Sequence, residues 1–167
     1  MEFAEAKNKF IQTWGALGSQ WGINKTMAQI HALLMVSSEP LSMEDVMDEL
    51  RISRGNASMN LRALMDWGIV YKEYKSGERK EFFTAEKDLD ELAVKIAKER
   101  SKREIKPALK VLKDVSSINP ATSLETKHFV EQTKNLYDFV LKADNMIDKV
   151  TEIKDNWIGR LVMKIMR

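Results

Sequence analysis

A mainly α-helical fold carrying one small β-hairpin is what the sequence predicts, and three observations predict it. Apolar residues recur at helical spacing through most of the 167 residues, the pattern turns strand-like only after Gly68, and a heptad-like seam runs through the last third. Hydrophobic residues make up 44% and charged residues 31%, the balance of a globular chain with a core to bury.

The first helix is expected over residues 2–20, with Phe3, Ala6, Phe10, Trp14 and Leu17 on its apolar side. Gly15, Gly18 and Gly22 crowd its exit, where glycine commonly caps a helix C-terminus. A second helix, about Asn24 to Val36, turns Met27, Ile30, Leu33 and Leu34 inward and stops before Pro40, which disfavours helix in the residue preceding it. Ser42 is placed to cap a short third helix, with Glu44 and Asp45 favouring its positive end and Val46 and Leu50 facing in. After the turn RIS, Ser53 caps a fourth helix that runs to Gly68. With each residue advancing about 100°, Leu61 and Leu64 fall within about 40° of Ala57 and form the core face. Gly55, Met59, Arg62 and Asp66 lie on the far side, flanked by Asn56 and Ser58.

Beyond Gly68 come IVYKEY, KSGE and RKEFFT, two β-prone runs around Gly77, which read as a hairpin with a slightly long loop. Helix, short helix, helix and hairpin in that order make a winged helix-turn-helix over residues 23–88, preceded by the helix in 1–22. A basic connecting helix is expected over residues 89–115, within an apolar pattern that starts near Glu86 and uses Leu89, Leu92, Ile96, Leu109 and Leu112. Pro107 should kink it or restart it as a first-turn proline. From Lys95 to Lys113 eight basic residues face two acidic ones, either a solvated face or a phosphate contact beside the wing. Residues 116–123 read as a linker and residues 124–167 as dimerisation helices. There Phe129, Thr133, Leu136, Val140, Ala143, Ile147 and Val150 are spaced alternately four and three apart. This seam can pack within one chain or between two, and two is the favoured reading because one winged helix reads only a half-site. Trp157 to Arg167 is a basic amphipathic stretch, expected to dock on the dimer core rather than on a membrane surface.

Several function classes lose their footing. The chain has no cysteine, so disulfides, thiolate metal sites and a cysteine nucleophile are excluded. His31 and His128 lack companion ligands at metal spacing, and no phosphate loop, GxSxG or HExxH occurs. No catalytic residue, metal or cofactor is expected. Without a secretory signal or an apolar run of about 20 residues, a cytoplasmic location is expected.

A net charge of +2 does not argue for nucleic acid, and residues 24–90 hold nine basic against twelve acidic groups. The charge is polarised, however: residues 51–81 carry seven basic against four acidic, while Glu44, Asp45, Asp48 and Glu49 gather on the preceding helix. The fourth helix is therefore the candidate for the major groove, with the wing on the flanking backbone or minor groove. Ser53 and Gly55 sit at a helix start that attracts phosphate, Arg54 suits phosphate, and Asn56 suits adenine. Ser58 suits base or phosphate, Met59 lies on the exposed face, and Arg62 can reach guanine or phosphate. Lys75, Arg79 and Lys80 surround the wing turn.

From about Trp21 to Leu112 the chain resembles the MarR superfamily, and within it the GbsR-like branch. "EPLSMEDVMDEL" resembles the first helix of the reading motif and "ISRGNASMNLRAL" the recognition helix. "SGERKEFF" resembles the wing tip, with the acidic–arginine pair Glu78 and Arg79, and "KREIKPALKVL" extends the match. The resemblance implies a dimeric transcriptional regulator, usually a repressor, on a pseudo-palindromic operator of double-stranded DNA. It also implies a small-molecule effector such as a quaternary ammonium compound, for which Phe10, Trp14 and Trp21 are the nearest aromatic cage, although helically spaced aromatics more commonly pack an interface. The competing reading is a winged-helix module that binds protein rather than DNA.

Overall fold

The computed structural model describes residues 1–118 and 123–155. The chain divides into two compact units, Met1–Leu92 and a second that begins at Ala93.

The first unit opens with α1 (Phe3–Gln20) and α2 (Lys25–Val36). Asn24 caps α2, its side-chain oxygen accepting from the Met27 amide at 3.1 Å. Met27, Ala28, Ile30, His31, Ala32, Leu33 and Leu34 are all buried, so α2 is the helix around which the others pack. The inward face of α1 differs from the one its large side chains predict. Ile11, Gly15 and Gly18 are buried, whereas Phe3 is 80% exposed and Phe10 and Trp14 are half-buried. The reason is close approach: a Cβ on Gly18 would stand 2.5 Å from the Ala28 Cβ, so glycine lets the α1 backbone lie against α2. Gly15 and Gly18 are thus packing residues inside α1, not its exit. Only Gly22 has the left-handed conformation of a helix stop, with φ of +77°, and the Ile23 amide donates to Gly18 O at 2.8 Å across it.

Next come β1 (Leu41–Ser42), α3 (Met43–Leu50) and α4 (Arg54–Asp66). Ser42 and Asp45 form a reciprocal capping box: the Asp45 amide donates to Ser42 Oγ at 3.2 Å, and the Ser42 amide to Asp45 Oδ2 at 2.8 Å. Val46 is fully buried and Leu50 half-buried. Arg51 ends α3 at φ 52°, a left-handed conformation that costs a non-glycine residue about 1 kcal/mol. Ser53 then caps α4, accepting from the Asn56 amide at 3.3 Å, and Ala57, Leu61 and Leu64 are at most 1% exposed.

The hairpin consists of β2 (Val70–Tyr74) and β3 (Glu81–Ala85), antiparallel with Val70 opposite Ala85 and Tyr74 opposite Glu81. A third strand, absent from the expected pattern, completes the sheet in the order β1-β3-β2, with Leu41 opposite Phe83 and Ser42 opposite Phe82. Two residues are too few to leave a period of two in the sequence. Phe82, Phe83 and Ala85 turn the inner strand into the core.

The expected basic helix is divided. α5 (Leu89–Arg100) leads into a π-helical turn, Ser101–Ile105, and α6 (Lys106–Ser116) restarts with Pro107 in its first turn. Leu92 is buried but Leu89, placed inward by the pattern, is 64% exposed. In the second unit α6 and the π turn pack on α7 (Leu124–Asp155). Ser101 Oγ donates to Asp144 between two buried side chains. Glu99, also buried, pairs with Arg103 and with Lys102 at 3.8 Å. The heptad seam is only partly covered. Thr133, Val140, Ala143 and Ile147 are half-buried, while Phe129, Leu136 and Val150 are exposed together with Phe139 and Met146. Residues 119–122 of the expected linker and the stretch Trp157–Arg167 lie outside the described residues. Among those described, no helix is long and apolar enough to cross a membrane.

Candidate nucleic-acid interface

The outward face of α4 carries Arg54, Gly55, Met59 and Arg62 exposed, with Asn56 and Ser58 half-buried at its edge and Ser53 exposed at its cap. Nothing of this chain lies within 4 Å of a Cβ built on Gly55, so the helix start is open to close approach. Met59 is 60% exposed, an apolar group suited to a thymine methyl. Arg54 is already engaged, its guanidinium 2.5 Å from Glu44 Oε1 on α3. Glu44 is held below the usual carboxylate range by its own backbone amide first and by Arg54 after it. A phosphate approaching Arg54 must compete with that exposed pair, which contributes little in water.

Gly77, at φ +85°, turns the chain between β2 and β3, and the Glu78 amide donates to Lys75 O at 3.1 Å. Arg79 and Lys80 stand exposed at the tip, while Lys75 lies over the Phe82 ring with Nζ 4.5 Å from its centre. The wing cations reach back to the capped start of α3. Asp45 is lowered mainly by its hydrogen bonds to Ser42, with Lys80 and Lys75 adding to the effect. The acidic start of α3 thus lies near cations of the wing.

Two residues of this surface are not singled out by the sequence pattern. Lys72 on β2 donates to Glu81 Oε1 across the hairpin at 2.8 Å, a bond that raises its pKa, while Arg62 pulls the other way. The Arg62 charge on the helix is thus felt at Lys72 on the strand. The second is Asn60, 3% exposed, whose Nδ2 donates to Asn56 O at 2.9 Å and to Asn56 Oδ1 at 2.7 Å. Its signal is the four-residue spacing from Asn56, at which helical side chains meet.

Phe10 and Trp14 form a tilted ring pair with centres 5.6 Å apart, while Trp21, 55% exposed, stands beyond the end of α1 and outside that pair. His31 is buried among apolar groups with Nε2 unpartnered; burial, then the Lys87 charge, holds its pKa down to about 4. His128 is exposed on α7. Among the described residues no three His, Asp or Glu side chains group as metal ligands would.

Residues 21–80, from the end of α1 to the wing tip, match the model of the MarR family. The HTH-type transcriptional repressor GbsR of Bacillus subtilis (strain 168) is 27% identical over 90 residues, 52% of this chain and 49% of that protein. The chain thus matches about half the length of this curated relative. A solved structure described as a transcriptional regulator superposes with a TM-score of 0.58 at 16% identity, covering 86% of this chain and 99% of the other. That likeness establishes the shared fold.

Proposed function

We propose that this chain binds double-stranded DNA through α4 and the β2–β3 wing and regulates transcription as a homodimer on a pseudo-palindromic operator, acting as a repressor. The observation that carries the reading is the set of exposed groups Gly55, Met59 and Arg62 on α4, with Asn56 half-buried at their edge, and Lys72, Arg79 and Lys80 exposed on the wing. A helix with an open N-terminal turn, one carboxamide and one guanidinium suits the major groove, and the wing cations suit phosphate. Ser53, Arg54 and Ser58 complete the helix edge, and Lys75 steadies the wing turn from the Phe82 ring. The family match over residues 21–80 and the repressor with which the chain shares 90 aligned residues support this role.

Dimerisation is supported by apolar surface that a single chain leaves open. Phe3 and Trp21 are exposed on or beside α1, and Phe129, Leu136, Phe139, Met146 and Val150 are 45–68% exposed on α7. An effector of the quaternary ammonium class would use the Phe10 and Trp14 rings, with Trp21 as a further face. The proposed role belongs in the cytoplasm and needs no catalytic group.

Selection of bound sequences from random DNA tests the reading. The wild-type chain should enrich a two-fold symmetric site. The double variant Arg62→Ala, Arg79→Ala should enrich none while keeping the wild-type mass by light scattering. Undiminished DNA binding by that variant would reject the interface.

A further inference from the structure

We infer that Asn60, a buried residue that cannot itself touch DNA, fixes the donor–acceptor sense of Asn56 and thereby sets which base the recognition helix refuses. The inference rests on the proposed DNA-binding role of α4.

The hydrogen bonds determine both amides without ambiguity. A carboxamide nitrogen and oxygen have similar shapes, so their assignment must come from the partners. Asn60 reaches the backbone oxygen of Asn56 at 2.9 Å, and a carbonyl oxygen only accepts, so the Asn60 atom facing it is Nδ2. The same Nδ2 lies 2.7 Å from the Asn56 side chain, which must therefore present its oxygen to Asn60. Asn56 Nδ2, the other end of its planar amide, is left as the donor available to an incoming base. Asn60 is 3% exposed and its place on α4 is flanked by the fully buried Ala57, Leu61 and Leu64, so it has little freedom to release Asn56. Left to itself an asparagine on this face can turn either edge outward, as donor or as acceptor.

In the major groove guanine offers N7 and O6 as acceptors, adenine N7 and thymine O4, whereas the cytosine edge offers the N4 donor. A donor held outward at Asn56 is compatible with the first three and opposes cytosine. Asn60 is a positioning residue: it acts through Asn56, and its effect falls on one column of the recognised sequence.

Selection from random DNA with the full-length protein tests this. Asn56→Ala marks the column that Asn56 reads. At that column the wild type should discriminate against cytosine by roughly tenfold, within the range of a well-made base contact. Asn60→Leu, which removes both bonds, should reduce the discrimination to under about threefold there and leave the other columns unchanged. Asn60→Ser separates orientation from helix integrity, because serine can donate to the carbonyl four residues back while leaving the Asn56 amide free. It should relax the same column even if Asn60→Leu folds poorly. Wild-type cytosine discrimination retained in Asn60→Ser, or relaxation spread evenly over all columns, would overturn the inference. Enrichment of no sequence by the wild type would reject the DNA-binding reading itself, a different result.

Discussion

The Lys87 ammonium donates to the Leu34 carbonyl oxygen at 2.7 Å, across 53 residues of chain. The same Nζ reaches Met35 O at 2.7 Å and Ser37 O at 3.0 Å, so one cation closes the C-terminal end of α2, where carbonyls lack helical partners. Lys87→Met keeps the aliphatic stem and removes the charge. It should lower unfolding stability by about 1–2 kcal/mol, on the scale of hydrogen bonds to charged groups, with DNA affinity per folded molecule unchanged. Urea denaturation measures it, and an unaltered midpoint would show that the cap contributes nothing net.

Gly18 and Gly15 should respond to different degrees to the same substitution. The new Cβ of Gly18→Ala meets the Ala28 Cβ, an atom fixed to its backbone, and should cost about 1–3 kcal/mol despite the better helix propensity of alanine. Gly15→Ala brings its Cβ to 2.5 Å from Gln29 Cγ and 3.3 Å from Lys25 Cγ, side-chain atoms that a change of rotamer can move, and should cost less than Gly18→Ala, at most about 1 kcal/mol. Ala28→Gly should rescue Gly18→Ala, giving a double-mutant coupling of at least about 1 kcal/mol. Additive effects would place the close approach elsewhere.

His31 makes stability depend on pH in a definite window. Above its ordinary value of 6.5 it is neutral folded and unfolded, and nothing is lost. Between 6.5 and about 4 the unfolded chain takes a proton that the folded chain refuses, so stability falls as pH falls. From about pH 7.5 to about pH 5 the loss should be about 2 kcal/mol, at 1.36 kcal/mol per unit. His31→Leu should flatten this window while leaving carboxylate effects at lower pH. Parallel urea midpoints for both proteins would decide it; identical slopes would mean that His31 is solvated in the native state.

Glu81 restrains the wing by holding Lys72. Glu81→Gln should release that cation to phosphate, raising DNA affinity severalfold and steepening the logarithmic salt dependence by up to about 0.9. Fluorescence anisotropy over a salt series reads both quantities. An unchanged slope would mean that Lys72 does not reach the backbone.

The exposed flank of α7 is the place to break the proposed dimer. Leu136→Glu with Phe139→Glu puts charge on residues 50% and 68% exposed in the single chain, so the monomer fold should survive. The pair should halve the mass seen by light scattering and abolish binding to a two-half-site operator. A dimer that persists would move the interface off this face.

What the sequence made legible was whatever depends on neighbours along the chain. The Ser42 and Ser53 caps and the inward set Ala57, Leu61 and Leu64 follow from spacings of three to seven residues, whereas the return bond from the Ser42 amide to Asp45 appears only in the structure. The inward face of α1 was hidden because glycine packs by lacking a side chain, so Gly15 and Gly18 gave no apolar signal while Phe3 gave a misleading one. The π turn at Ser101–Ile105 carries no breaker residue, and its buried Ser101 meets Asp144 from 43 residues away. At the interface the exposed groups Arg62, Arg79 and Lys80 were readable from the helical wheel and from turn chemistry. Asn60 was not, because its polar group is spent on a neighbour rather than on solvent.

The short strand β1 bears on how such a reader can diverge. Ser42 is at once the last residue of that strand and the cap of α3, and Leu41 is paired with Phe83 at the base of the hairpin. The base of the wing is thereby pinned to α3 at two residues, while the loop 75–80 lies beyond the paired residues of β2 and β3. For the proposed DNA reader, insertions or deletions at the tip would change its reach along the duplex without moving α4, so loop length and base preference would be adjustable one at a time.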